Sequence, residues 1–305
     1  RGRSREAAAA AAATAAADMA AAAAAAVRRT ACGVRYSLGA GATSSPLLAL
    51  VHGAPGSSRD FRHLTDAIER LGAPLRTLSV DLPGHGESPP FADGREPTQP
   101  EMASALWRAV EAATADLSPP PPVLLLGHSI GGHTVLSAAA RRPVAGVVLL
   151  APVNVTPHRA LLNDTGFRWI VRPLCLLLGR PPWKEALGGL AEAWFKRVLG
   201  FPRGVSRAEL EWVHRRVAWL DFAAAEADVR ALRVPVLHAF ARDDALIQPG
   251  KAMELRRVLD ACAARDGPRL DWPSGGHNVQ KTRAQELAMA LTEWVARVAA
   301  AGEMV

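Results

Sequence analysis

The sequence VLLLGHSIGG, from Val123 to Gly132, decides how this chain folds. Its first four residues form an apolar run that is typical of a buried strand, and the residues after the serine are typical of a helix that ends before Pro143. A Gly-x-Ser-x-Gly pattern between a strand and a helix is typical of a nucleophile elbow, a sharp turn that exposes the serine hydroxyl. Ser129 is therefore the candidate nucleophile, and the backbone N–H of Ile130 points to where an oxyanion would form.

Strand and helix patterns alternate on both sides of this turn. Apolar runs that predict strands are followed by loops with Gly, Pro, Asp or His, and segments with helical spacing lie between them. The predicted strands lie at residues 47–51, 75–80, 123–126, 144–151, 234–240 and 269–272. Such alternation predicts the α/β class, with a mostly parallel, doubly wound sheet and right-handed crossover helices.

Residues 154–230 interrupt the alternation with helical patterns that are broken by prolines. Five of the eight tryptophans and four of the seven phenylalanines of the chain lie there. Because open α/β sheets bind ligands at the carboxyl ends of their strands, we interpret this insertion as a helical cap over the binding crevice. Its apolar side chains favour an acyl or alkyl group as the ligand.

The first 45 residues differ from the rest of the chain because they are rich in alanine and arginine. From Met19 to Ser45 the sequence carries arginine and no acidic residue, which is typical of organelle transit peptides and also of untargeted low-complexity sequence. We therefore divide the chain into a head, residues 1–45, which we expect to lie outside the fold, and a domain, residues 46–305. The compartment stays open between the cytoplasm and an organelle, either a mitochondrion or a chloroplast.

The formal net charge of +7 does not by itself indicate a nucleic-acid-binding protein. Six arginines against two acidic residues lie in the head, and the remaining chain has no basic stripe interleaved with aromatic residues. The three scattered cysteines have neither metal-ligand spacing nor the pattern of a disulfide framework. We expect no nucleic-acid partner, no metal and no cofactor. No stretch is apolar for long enough to predict a membrane span, which leaves peripheral contact with a membrane open.

Five landmarks together resemble the α/β-hydrolase superfamily, in particular its capped, lipase- and esterase-like serine hydrolases. They are His52–Gly56, Asp81–Ser88, the elbow, Asp244–Ile247 and the pair Gly276-His277. They stand in the order and spacing of that superfamily, and the resemblance covers about residues 46–300. It implies an α/β-hydrolase fold and a serine esterase that works through a Ser-His-Asp triad and an acyl-enzyme.

The resemblance implies that Ser129 is the nucleophile and that His277 is the base that activates it. His277 comes late in the chain, after a predicted strand, and the order Ser, Asp, His is that of this fold. Two adjacent aspartates, Asp243 and Asp244, compete for the role of the triad acid. The superfamily pattern places the acid just before a short apolar segment, which favours Asp244 and leaves Asp243 as the alternative.

The resemblance also assigns the backbone N–H of Ala54 as the second oxyanion donor, beside that of Ile130. A serine at the elbow argues against the chemistry of haloalkane dehalogenases and epoxide hydrolases, which use a carboxylate nucleophile on this fold. The expected substrate is a small molecule, a carboxylic ester or thioester with an apolar acyl or alkyl group. Two other functions stay open: an acyltransferase, in which an alcohol intercepts the same acyl-enzyme, and a non-catalytic ligand-binding protein of the same fold.

Overall fold

The computed structural model describes residues 27–29, 33–197, 204–262 and 267–300, and its strands form one eight-stranded sheet in the order β1-β2-β4-β3-β5-β6-β7-β8. The strands are β1 (Val27–Arg29), β2 (Arg35–Leu38), β3 (Leu47–Val51), β4 (Arg76–Asp81), β5 (Val123–His128), β6 (Gly146–Leu150), β7 (Val236–Ala241) and β8 (Arg269–Trp272). All neighbours from β4 to β8 are parallel, whereas β1 and β2 pair in antiparallel fashion. The prediction of a mostly parallel α/β sheet is confirmed.

Helices cover both faces of the sheet. They are α1 (Arg62–Arg70), α2 (Gln99–Thr114), α3 (Gly131–Ala139), α4 (Arg172–Leu178), α5 (Trp183–Arg197), α6 (Arg207–Ala218), α7 (Phe222–Ala231), α8 (Pro249–Asp260), α9 (Val279–Thr282) and α10 (Ala284–Ala300). On one face α2, α3 and α8 bury Met102, Val135 and Leu255 against the strands. On the other face α1 and α10 bury Leu64 and Leu291. This two-sided cover is the doubly wound arrangement that the alternating patterns predict.

The sheet begins inside the segment that we assigned to the head. Strand β2 pairs with β4, with Tyr36 opposite Val80, and β1 extends this edge. Val34 and Tyr36 are almost fully buried in the core beneath α2. The prediction that residues 1–45 lie outside the fold is therefore wrong for the described part of the head, because alternate apolar side chains point from this edge into the core. Residues 1–26 and 30–32, and with them most of the segment interpreted as a transit peptide, lie outside the described residues.

The segment between β6 and β7 is helical, as expected for a cap. It contains a 3₁₀ turn (Arg159–Leu161), a single helical turn (Asp164–Gly166), a π-helical turn (Phe167–Val171) and helices α4 to α7. Phe167 and Leu220 of this segment pack against Ile130 at the elbow. Helix α7 differs, because its Val229 packs into the core of the sheet. Phe222 at the start of α7 packs with Phe167 and Leu220 of the cap, so this helix contacts both the cap and the sheet.

The parallel strands bring the sequence landmarks to one edge of the sheet. The loop after β3 carries Ala54, the turn after β5 carries Ser129, the loop after β7 carries Asp244, and the turn after β8 carries His277. Since the carboxyl ends of parallel strands share one edge, these four residues from distant parts of the sequence lie close together.

Candidate active site

Ser129 occupies the sharp turn between β5 and α3. Its φ of 54° lies in the left-handed region, which a serine rarely adopts. The turn is held by the neighbouring strand, because the Ser129 N–H donates to the carbonyl of Leu150 at 3.0 Å. The Ser129 carbonyl in turn accepts from the N–H groups of Gly132 at 2.9 Å and Val153 at 3.0 Å. The backbone of this residue is thus fixed on both sides of its Cα atom.

Two glycines make this turn possible. A Cβ atom on Gly127 would lie 2.5 Å from the carbonyl oxygen of Gly131, and one on Gly131 would lie 2.5 Å from that of Val51. Both clashes are with backbone atoms, which cannot rotate away as a flexible side chain could. The elbow helix can therefore approach β3 and β5 only when both positions lack a side chain.

The imidazole of His277 pairs with Asp244 and not with Asp243. His277 Nδ1 lies 2.8 Å from Asp244 Oδ2, and the Asp244 side chain is fully buried. The neighbouring Asp243 instead accepts a hydrogen bond from the backbone N–H of Gly276 at 2.7 Å. Its carboxylate therefore holds the turn that carries the histidine, while the Asp244 carboxylate contacts the ring itself.

The second carboxylate oxygen of Asp244 is also occupied. Oδ1 accepts hydrogen bonds from the backbone N–H groups of Leu246 at 2.8 Å and Ile247 at 2.9 Å. Burial raises the pKa of the Asp244 carboxyl, but the hydrogen bond from His277 and the two backbone donors outweigh that effect and hold the pKa below its ordinary value. Asp244 is therefore ionised at neutral pH and fixed in orientation, which favours the tautomer of His277 that carries its proton on Nδ1.

A second histidine, His128, ties the turn of His277 to the elbow strand. Its Nε2–H donates to the backbone carbonyl of His277 at 3.0 Å, and the two rings lie 4.9 Å apart. Burial lowers the pKa of His128 to about 3, so this ring stays neutral. The Gly-x-Ser-x-Gly pattern does not require histidine at this position, so no sequence motif predicted this positioning contact.

The loop that carries Ala54 is fixed by His52. The ring of His52 spans two backbone groups, with Nδ1 at 2.6 Å from the carbonyl of Gly53 and Nε2 accepting from the N–H of Leu82 at 3.1 Å. Burial lowers the pKa of His52, which keeps the ring neutral and able to accept this bond. Among the described residues, the backbone N–H groups of Ala54 and Ile130 have no hydrogen-bond partner within the chain, so both can donate to a ligand.

An apolar cavity of about 570 Å³ opens from the elbow into the cap. Ser129, Ala54 and Ile130 line its floor, and aliphatic side chains of α4, α5 and α6 line its walls. The polar wall residues are His158 and a histidine of α6. Burial lowers the pKa of His158 to about 4, so its ring faces the cavity in the neutral form. A cavity of this size and lining accepts a flexible apolar chain rather than a charged group.

A second and more polar cavity of about 940 Å³ meets the first at Ser129 and Ala54. His277 and the elbow serine share its wall, together with charged side chains that include Arg159, Asp243 and Lys281. The candidate site therefore has an apolar side and a polar side, and the serine lies where they meet. Within the described parts of the chain, no group of three or more His, Cys, Asp or Glu is placed to hold a metal ion.

Comparison with known families gives one match across most of the chain. A model of the "Alpha/beta hydrolase family" matches residues 48–290. The mouse sn-1-specific diacylglycerol lipase ABHD11 is 33% identical over 86% of this chain and 84% of its own length. The pimeloyl-[acyl-carrier protein] methyl ester esterase of Stenotrophomonas maltophilia is 31% identical over 82% of this chain and 93% of its own length.

Other similarities are shorter or concern the fold alone. Mouse protein phosphatase methylesterase 1 is 33% identical over 119 residues, and the match spans only 30% of that relative's length. The solved structure of haloalkane dehalogenase DbeA from Bradyrhizobium elkani matches with a TM-score of 0.64 at 20% identity, over 90% of this chain and 98% of that one. At this identity the likeness establishes a common fold and carries no conclusion about the reaction.

Proposed function

Because the chain belongs to the alpha/beta hydrolase family, we propose that it is a serine hydrolase that cleaves a carboxylic ester or thioester with an apolar acyl or alkyl group. The observation that carries this proposal is that His277, which pairs with the buried Asp244, lines the same cavity as Ser129. A strained elbow serine, an imidazole and a carboxylate are the parts of an activated oxygen nucleophile. The lipase and esterase relatives support the same reaction class.

In the proposed reaction the Ser129 Oγ attacks the acyl carbon while His277 accepts the hydroxyl proton on Nε2. Asp244 stabilises the resulting imidazolium through its bond to Nδ1–H. The imidazolium then donates the proton to the departing alkoxide or thiolate, and an acyl-enzyme remains. Water, deprotonated by the same ring, cleaves the acyl-enzyme and restores the serine. The negative charge on the carbonyl oxygen is stabilised in both steps by the N–H groups of Ala54 and Ile130.

The two cavities suggest where the two parts of an ester substrate bind. We place the apolar chain in the cavity of the cap, which has aliphatic walls. Each methylene group that leaves water there favours binding by about 0.8 kcal/mol. The leaving alcohol or thiol then lies on the polar side, next to His277, where the proton is delivered. An ester with a long apolar acyl group and a small polar leaving group fits this arrangement.

A panel of p-nitrophenyl esters of increasing acyl length tests the proposal. We expect kcat/KM to rise with chain length until the cavity is filled, and Ser129→Ala to reduce turnover by on the order of 10⁶, as in serine proteases. Ser104→Ala, which changes an exposed serine of α2, is the matched control and should leave the rates unchanged. Wild-type turnover in Ser129→Ala would refute the proposal.

The same panel separates the two alternative functions. Product analysis with an added alcohol distinguishes hydrolysis from acyl transfer, because a transferase gives the new ester in preference to the free acid. A folded protein that binds the esters without turning any of them over would be a ligand-binding member of the family instead.

A further inference from the structure

The outer surface of the cap carries large apolar side chains that are exposed to water. Trp169 is 69% exposed and Leu190 is 72% exposed, which is unusual for side chains of this size. We call the six residues of this surface the cap rim: Leu162, Trp169, Ile170, Leu174, Leu177 and Leu190. Three of them, at positions 170, 174 and 177, have the spacing that places residues on one side of a helix.

The cap rim is continuous with the apolar cavity above Ser129. Leu162, Ile170, Leu174 and Leu190 are exposed to solvent, and the same four side chains also line that cavity. They therefore form the entrance to the cavity. An apolar chain can pass from a surface in contact with the rim to the serine without crossing water.

The charges beside the rim are mostly positive. Four arginines and one aspartate lie from residue 158 to residue 180, and one of these arginines, Arg180, is paired with Glu96. Arg168 lies over the ring of Trp169 at 5.4 Å, and Arg172 lies over the ring of Trp219 at 5.6 Å. Neither arginine forms a salt bridge with the described residues, so both can pair with an external anion.

We propose that the cap rim docks on a lipid membrane that contains anionic headgroups. Exposed tryptophan and leucine beside unpaired arginine is the combination that binds a membrane interface, through apolar burial together with attraction to anionic lipids. A protein partner seated on the rim would close the entrance to Ser129, whereas a bilayer would deliver apolar chains to it. This inference concerns binding and does not depend on the proposed reaction. Among the described helices none is long and apolar enough to span a membrane.

Co-sedimentation with vesicles tests the docking. Vesicles of phosphatidylcholine alone and of phosphatidylcholine with phosphatidylglycerol are compared, using Ser129→Ala so that lipid cleavage plays no part. We expect tighter binding to the anionic vesicles. The double variant Trp169→Ser/Leu177→Ser should weaken binding about tenfold, since each side chain loses the burial of a large apolar group. Arg168→Gln should weaken it about fivefold on anionic vesicles only.

Matched control variants lie on α10. Met289 is 49% exposed and Arg297 is exposed on the same helix, so Met289→Ser and Arg297→Gln remove similar groups away from the cap. Both should bind vesicles as the parent does. The two rim substitutions are also made in the protein that keeps Ser129. Its hydrolysis of the soluble p-nitrophenyl acetate should be unchanged, because Trp169 and Leu177 do not line the cavity.

Three outcomes would overturn the docking surface. The parent protein could fail to sediment with either vesicle, the α10 controls could weaken binding as much as the rim variants, or the rim variants could convert a dimer in solution into a monomer. The last result would identify the rim as a contact between copies of this chain.

Discussion

His277 Nδ1 and Asp244 Oδ2 lie 2.8 Å apart, although 33 residues separate them in the sequence. The bond joins the loop after β7 to the turn after β8, which are adjacent parallel strands. The other oxygen of Asp244, Oδ1, accepts hydrogen bonds from two backbone N–H groups, which keep the carboxylate from rotating away from the ring. A proton on Nδ1 leaves Nε2 free to accept another, which is the state that a general base needs.

We therefore predict that Asp244→Asn will reduce kcat/KM by about 10⁴. An amide keeps a hydrogen bond to the ring but favours the wrong tautomer and does not stabilise the imidazolium. Asp243→Asn is the matched control, because among the described residues this carboxylate accepts from the backbone N–H of Gly276, and an amide oxygen can do the same. We expect a loss of less than about tenfold for this variant. A larger loss for Asp243→Asn than for Asp244→Asn, measured with one ester substrate, would reverse the assignment.

Gly131→Ala should remove activity and lower the thermal midpoint. The added Cβ atom would lie 2.5 Å from the carbonyl oxygen of Val51, so the elbow helix must shift away from β3. Gly189→Ala is the control, because a Cβ there meets no atom within 4 Å and alanine favours helix α5 by about 1 kcal/mol over glycine. Circular dichroism melting of both variants gives the comparison, and an active, normally stable Gly131→Ala protein would contradict the elbow geometry.

Strand β2, which lies between β1 and β4, should contribute measurably to stability. Tyr36 is only 3% exposed and packs in the core beneath α2, so Tyr36→Ala should lower the free energy of unfolding by about 3 kcal/mol or more. Tyr36→Phe keeps the ring and should cost less than about 1 kcal/mol. Urea denaturation measures both. Equal stability of Tyr36→Ala and wild type would show that this strand does not belong to the cooperative core.

The stability of the protein should fall as the pH drops below about 6.5. Burial lowers the pKa of His238 to about 3 and the pKa of His133 to about 4, so these rings stay neutral in the folded chain. In the unfolded chain they bind protons below their ordinary pKa of 6.5, and acid therefore favours unfolding between that pH and the folded values.

His238→Leu isolates one of these rings. Neither nitrogen of His238 has a hydrogen-bond partner among the described residues, so leucine can replace it inside β7 without leaving a partner unpaired. In the linear part of the range the pH slope of the unfolding free energy should decrease by about 1.4 kcal/mol per pH unit, the value for one proton. Urea titrations at several pH values measure the slope. An unchanged slope would mean that His238 is protonated in the folded protein.

The sequence predicted the central sheet well, because each buried parallel strand is a continuous apolar run followed by a loop with distinctive residues. It did not predict β2, which is four residues long and follows an alanine-rich segment of low complexity. Successive side chains of a strand point to opposite faces of the sheet, so the apolar signal of this short segment comes mainly from Val34 and Tyr36, which are buried in the core. Helix α7 has the same helical pattern as the cap helices, and the pattern does not show that its Val229 packs into the core of the sheet.

The candidate site residues came from motifs, whereas the contacts that hold them did not. Nothing in a sequence pattern shows that His128 donates to the backbone of His277, or that His52 spans the carbonyl of Gly53 and the N–H of Leu82. These bonds join residues that only the folded sheet brings together. Similarly, the apolar composition of the cap favoured an apolar ligand but gave neither the cavity nor its entrance.

Labelling with a serine-reactive fluorophosphonate, followed by mass spectrometry of the digested protein, tests the central claim most directly. If Ser129 is the activated nucleophile, a single covalent adduct will form on the peptide that contains it. Labelling will disappear in Ser129→Ala and will slow strongly in Asp244→Asn, because the reagent reacts only with an activated hydroxyl. A folded wild-type protein that stays unlabelled, or an adduct that forms equally well in Ser129→Ala, would contradict the account.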